Sequence, residues 1–175
     1  MGKVSYKELF SKLENTSKEE YFENNLRYVI KTEEGFLEYV SKELESTNLK
    51  VHNSLSLTGV GKLIMVQSNT ATVLANVIPY LRERLGDKLD NLPDVLDRKN
   101  HDYGNSFDEL VTQYGDVAMS IRVSDKMSRL RSLVLRKEEK QVDESVEDTL
   151  IDLAGYMLLT LHYNTEEYEN AHKGE

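Results

Sequence analysis

The chain has 175 residues, with 22 Lys and Arg against 31 Asp and Glu, a formal net charge of −9 and no cysteine. That length suits one ordinary domain, or a domain with a helical extension. The acidic balance argues against non-specific binding to a nucleic acid polymer, which needs a basic footprint, and the lack of cysteine rules out disulfides and thiolate metal sites.

No apolar run approaches membrane-spanning length, and Met1–Tyr6 lacks the apolar core of a signal peptide, so a soluble, cytoplasmic protein is expected. Only two prolines, Pro79 and Pro93, interrupt long stretches of helix-forming residues. Residues 5–14 and 17–30 read as amphipathic helices, the second opened by Ser17 with Glu20 as a capping box. A further helix runs from Thr32 to about Ser46 through Phe36, Leu37, Val40 and Leu44. Ser54–Leu57 alternates like a strand, and Leu63–Val66 is too short an apolar run for periodicity to decide between strand and helix. The fold expected is mainly α, a helical bundle with room for a small β element around residues 50–67. Ser68 and Asn69 then read as the cap of a helix over Thr70–Leu85, kinked at Pro79 and ended by Gly86.

Pro93 marks the first turn of the next helix, which leads into Lys99–Gly104. Gly115 breaks the chain before a long helix to about Arg136, and a polar connector precedes a last helix over about Asp143–Tyr163. The residues divide near position 90: a helical N-terminal region of unassigned role over 1–90, a motif-bearing region over 91–165 and a fraying tail over 166–175. The two larger regions form one compact unit in this reading.

Three constellations fall in the second region. In the last helix, Glu144, Asp148 and Asp152 recur every four residues and share a face. Val146, Leu150, Leu153, Met157 and Leu161 form the core stripe, and from Leu153 onward almost no position is left to face water. Such acids point into a cleft between helices and ask for a compensating divalent cation. The bland alternative is an acidic first turn that complements the helix dipole, which suits Glu144 better than Asp152.

The long helix before it carries Arg122, Asp125, Lys126 and Arg129 opposite its core stripe. Two antiparallel neighbours would set that cluster against the acidic stripe. Acids holding a metal beside bases holding phosphate oxygens is a layout suited to a nucleotide; the same charges pairing with one another would make the contact purely structural. The segment Lys99–Phe107 is the third piece, with Lys99, Asp102, Tyr103 and Asn105 as ligand-contacting candidates and Gly104 as the turn. Weaker signals are His101, which has no partner at ligand spacing, and Gly59–Lys62, a fragment of a phosphate loop without its full spacing.

These strings, K-N-H-D-Y-G-N-S-F at 99–107, I-R-V-S-D-K-M-S-R-L at 121–130 and D-E-S-V-E-D-T-L-I-D-L-A-G-Y at 143–156, together resemble the nucleotide modification associated domain 1 family, widespread in bacteriophages and prophages. The resemblance covers about residues 90–163. A more distant similarity is to the all-α nucleoside triphosphate pyrophosphohydrolases of the MazG and dimeric dUTPase group, through Asp148–Leu153; their upstream E-E-x-x-E helix has no counterpart between Asp102 and Glu144. The resemblance implies a nucleotide or nucleotide-derived small molecule as ligand. Read together, the three constellations place Mg²⁺ on Asp125, Glu144, Asp148 and Asp152, with Lys99, Arg122, Lys126 and Arg129 on the phosphates, Asp102, Tyr103 or Asn105 on the rest of the ligand, and Glu147 as the base. The activity implied is metal-dependent nucleotide (pyro)phosphohydrolysis. The alternative is a non-catalytic protein that sequesters a nucleotide immune signal. A homo-oligomer is expected, because a wholly apolar C-terminal helix often completes its core across a subunit boundary.

Overall fold

The computed structural model describes residues 4–23, 30–135 and 145–163, with the backbone alone over 17–23. Among them the chain is helical, with no strand: α1 Tyr6–Glu23, α2 Glu33–Val40, a π-helical turn Ser41–Glu45, α3 Ser46–Asn53, α4 Gly59–Leu85, α5 Asp87–Asp90, α6 Leu92–Tyr103, α7 Ser106–Tyr114, α8 Asp116–Leu135 and α9 Val146–His162. The expected helical bundle is what the chain forms. None of the described helices is long and apolar enough to cross a membrane.

The β element allowed for residues 50–67 is absent, and the reason is periodicity over a longer window. Val66, Thr70, Val73, Leu74, Val77, Ile78, Leu81 and Leu85 are buried at helical spacing, so one buried face of α4 runs back from Leu85 to Val66 and takes in the end of that segment. Thr58 caps it, accepting from the Gly61 N–H at 3.0 Å. Ser54–Leu57 is only the link before that cap, with Leu55 fully exposed and no neighbouring strand among the described residues. Ser68 and Asn69 lie inside the helix instead of capping it; Asn69 donates its amide to the Glu43 carbonyl at 2.8 Å. The amine of Lys62, in the phosphate-loop-like fragment, bonds the His52 carbonyl at 2.9 Å. Ser17, too, starts no helix, because α1 runs through it.

The helix α9 sits in the middle. Leu150, Leu153, Ala154, Met157 and Leu158 are all buried, and the helix packs on α8, α4, α1 and α6. Its principal core joins residues from Tyr6 and Phe10 of α1 through Phe36, Leu74 and Leu81 to Met127 and Met157. Each such side chain contributes about 1.5–3 kcal/mol by leaving water. A smaller core around Val51, Val66, Phe107, Met119 and Tyr163 closes the other end. There a part-buried hydrogen bond between His52 and Asp116 ties α3 to the first residue of α8.

Candidate functional site

Gly104 and Gly115 adopt φ of +69° and +74°, a left-handed conformation that L side chains resist, and they turn the chain from α6 to α7 and from α7 to α8. These turns set three helices around one side of α9 and leave a cleft of about 580 Å³. That volume lies within the range of small-molecule sites. Lys99, Asn100 and Tyr103 come from the end of α6, Ser106, Phe107 and Leu110 from the start of α7, and Arg122 from α8. The floor is α9: Ile151 and Asp152, then Gly155 and Tyr156, then Leu159, successive steps of four along one helical face. At Gly155 a Cβ would stand 3.6 Å from Leu92 and 3.7 Å from Leu96, ordinary van der Waals contact, so Leu92 and Leu96 of α6 lie directly over this part of the floor.

Of the residues singled out in the sequence, Lys99, Tyr103, Arg122 and Asp152 line this cleft together. Lys99 and Arg122 are exposed and have no carboxylate partner among the described residues. Lys126 lies beneath, its amine 2.9 Å from the Asp152 carboxylate; the lysine side chain is 14% exposed and the aspartate 40%. The basic and acidic helices therefore do meet, and at this pair their charges neutralise each other. Asn105 is exposed in the α6–α7 turn beside the lining residues Gly104 and Ser106. Asp102 is exposed and approaches His101 at 3.3 Å. Asp125 and Arg129 are on the exposed side of α8.

The start of α9 is arranged differently from the expected stripe. The helix begins at Val146 with Ser145 as its cap, and Glu144 lies outside the described residues. Asp148 is exposed and completes that cap: its N–H donates to the Ser145 hydroxyl at 3.0 Å, which itself donates to the Asp148 carboxylate at 2.7 Å. The Ser145 hydroxyl first, and its backbone N–H second, hold the Asp148 carboxyl below the usual carboxylate range. Glu147 faces away from the cleft toward α4 and α5, 2.8 Å from Arg84 and 3.2 Å from Lys88. Lys88 first and then Arg84 lower its pKa, which weakens it as a base near neutrality. Among the described residues no three acids or histidines group closely enough to hold a metal ion. Asp125, Asp148 and Asp152 thus form no such cluster among the described residues.

Several lining groups had no individual role assigned from the sequence. Asn100 donates its amide to the Tyr6 hydroxyl, so α1 reaches the site from the far end of the chain. Tyr6 is 2% exposed, stacks on His162 at 4.0 Å between ring centroids, and has its pKa pushed up to about 12, chiefly by burial. Phe107 and Tyr156 pair across the cleft with centroids 6.2 Å apart. Phe107 was visible within its motif string, and Tyr156 followed the acidic stripe at helical spacing. Nothing local to Tyr6 signalled its contact, which depends on tertiary packing alone.

Residues 99–162 match the family model described as nucleotide modification associated domain 1. The matched segment is just over a third of the chain and supplies most of the cleft: the end of α6, α7, α8 and nearly all of α9. No curated protein and no solved structure matches the chain.

Proposed function

We propose that this protein binds a nucleotide in the cleft between α6, α7, α8 and α9. The observation that carries the reading is one of composition in space: two cations without carboxylate partners among the described residues, Lys99 and Arg122, share a walled cleft with Tyr103, Phe107 and Tyr156. Arginine and lysine are the groups that hold phosphate oxygens, and aromatic faces accept a base. The match to a domain associated with nucleotide modification covers this same segment and supports the assignment. Capture without chemical change accords with the described acids, since Asp152 is neutralised by Lys126 and Asp148 is engaged by the cap of its own helix.

A second reading is a metal-dependent nucleotide pyrophosphohydrolase. It is favoured by one observation, the presence of Asp152 in the cleft lining beside Arg122. One experiment separates the two. Stoichiometric protein is incubated with Mg²⁺ and a nucleotide panel that includes cyclic and ADP-ribose-type molecules, and the filtrate is read by mass spectrometry before and after heat denaturation. A nucleotide that leaves the filtrate and returns intact on heating is the expected result. A new monophosphate with pyrophosphate would establish the hydrolase instead, and an unchanged filtrate would sink both.

A further inference from the structure

The charges around the cleft bear on how many phosphates its ligand carries, an inference that rests on the nucleotide-binding reading above. Lys99 and Arg122 contribute two positive charges with no carboxylate partner among the described residues. Asp152 contributes one negative charge, and Lys126, 2.9 Å away, cancels it. The remaining described lining is apolar, aromatic or neutral, so the described residues give the cleft a net charge of +2. A phosphate monoester carries about −1.5 to −2 at pH 7, which this site neutralises. A triphosphate carries roughly twice that charge and ordinarily reaches a protein with Mg²⁺ held through one or two carboxylates. Among the described residues the one carboxylate in the lining, Asp152, is already occupied by its lysine.

We infer that the cleft selects a nucleoside 5′-monophosphate and takes it without a divalent cation. Arg122 offers a planar fork of donors to the phosphate and Lys99 a mobile point charge. The apolar and aromatic walls take the nucleoside, and the volume of about 580 Å³ is ample for one mononucleotide.

The test is calorimetric titration of the full chain with the mono-, di- and triphosphates of adenosine, guanosine, cytidine and thymidine, first in excess EDTA and then in excess Mg²⁺. In at least one nucleoside series the affinity falls from mono- to triphosphate by about tenfold or more, and the monophosphate affinity is the same in EDTA as in Mg²⁺. Arg122→Ala, at an exposed position, keeps its circular dichroism and melting temperature and loses about tenfold in monophosphate affinity. Tightest binding of a triphosphate, equal affinities along every series, or binding that exists only with Mg²⁺ would overturn the inference while leaving nucleotide binding intact. If no nucleotide binds under either condition, the assignment of the cleft itself fails.

Discussion

Asp152 shows how a single residue changes meaning when its neighbour is known. In the sequence it is a carboxylate two turns into an apolar helix, the natural choice for a metal ligand. In the structure Lys126 meets it at 2.9 Å, so the carboxylate is compensated from within the protein. Asp152→Asn is therefore expected to act on stability and on binding in opposite directions. The amine of Lys126, only 14% exposed, loses its counter-charge at a cost of about 1 kcal/mol. That is less than the roughly 3–5 kcal/mol of a fully buried pair, because Asp152 is 40% exposed and water screens it. Affinity for a nucleoside monophosphate rises, about threefold or more, because a negative charge has left the cleft. Urea unfolding and calorimetric titration of the variant measure the two effects. A loss of nucleotide affinity would return Asp152 to a metal-binding role.

At the scale of the element, the start of α9 is a small electrostatic device. Ser145 caps the helix and also bonds the Asp148 carboxylate, whose pKa is lowered in the folded state. A depressed folded-state pKa stabilises the protein above the ordinary carboxylate pKa, and that contribution is lost as pH falls through the lower folded value. Ser145→Ala removes the cap at a cost of about 1 kcal/mol near neutral pH. Its deficit relative to the parent chain should shrink in acid, where Asp148 is protonated in both proteins, and level off at the part due to the N–H bond alone. Thermal unfolding from pH 7 to about pH 2.5 tests this; a deficit independent of pH would mean that the hydroxyl–carboxylate bond contributes nothing. The same scale explains the error over residues 50–67. Leu63–Val66 is ambiguous alone, and only the longer series from Val66 to Leu85 reveals the helical period.

For the whole molecule, the decisive feature is that the site-bearing helices do not own their core. Phe36, Leu74 and Leu81 from the first ninety residues pack in the same cluster as Leu150, Leu153 and Met157. Tyr6 contacts both Asn100 in the cleft and His162 at the end of α9. A fragment spanning residues 91–163 should therefore lack a sharp thermal transition and bind a hydrophobic dye, since its inward faces lose the helices that cover them. Cooperative unfolding of that fragment with nucleotide binding intact would show that α1 to α5 are dispensable.

What the sequence by itself determined is everything carried by short-range pattern. The helical class follows from apolar spacing, the turns at Gly104 and Gly115 from backbone freedom, and the candidates Lys99, Tyr103, Arg122 and Asp152 from dense polar strings on neighbouring helices. All four of those residues lie in one cleft. The tertiary structure decided which charges remain available. It set Lys126 on Asp152, turned Glu147 toward Arg84 and Lys88, and left Arg122 and Lys99 without carboxylate partners among the described residues. Helical periodicity tells which face of its own helix a side chain occupies. The partner across the gap depends on how far each helix slides and rotates against the next, and in this chain α9 takes its place against α8, α4 and α1 together.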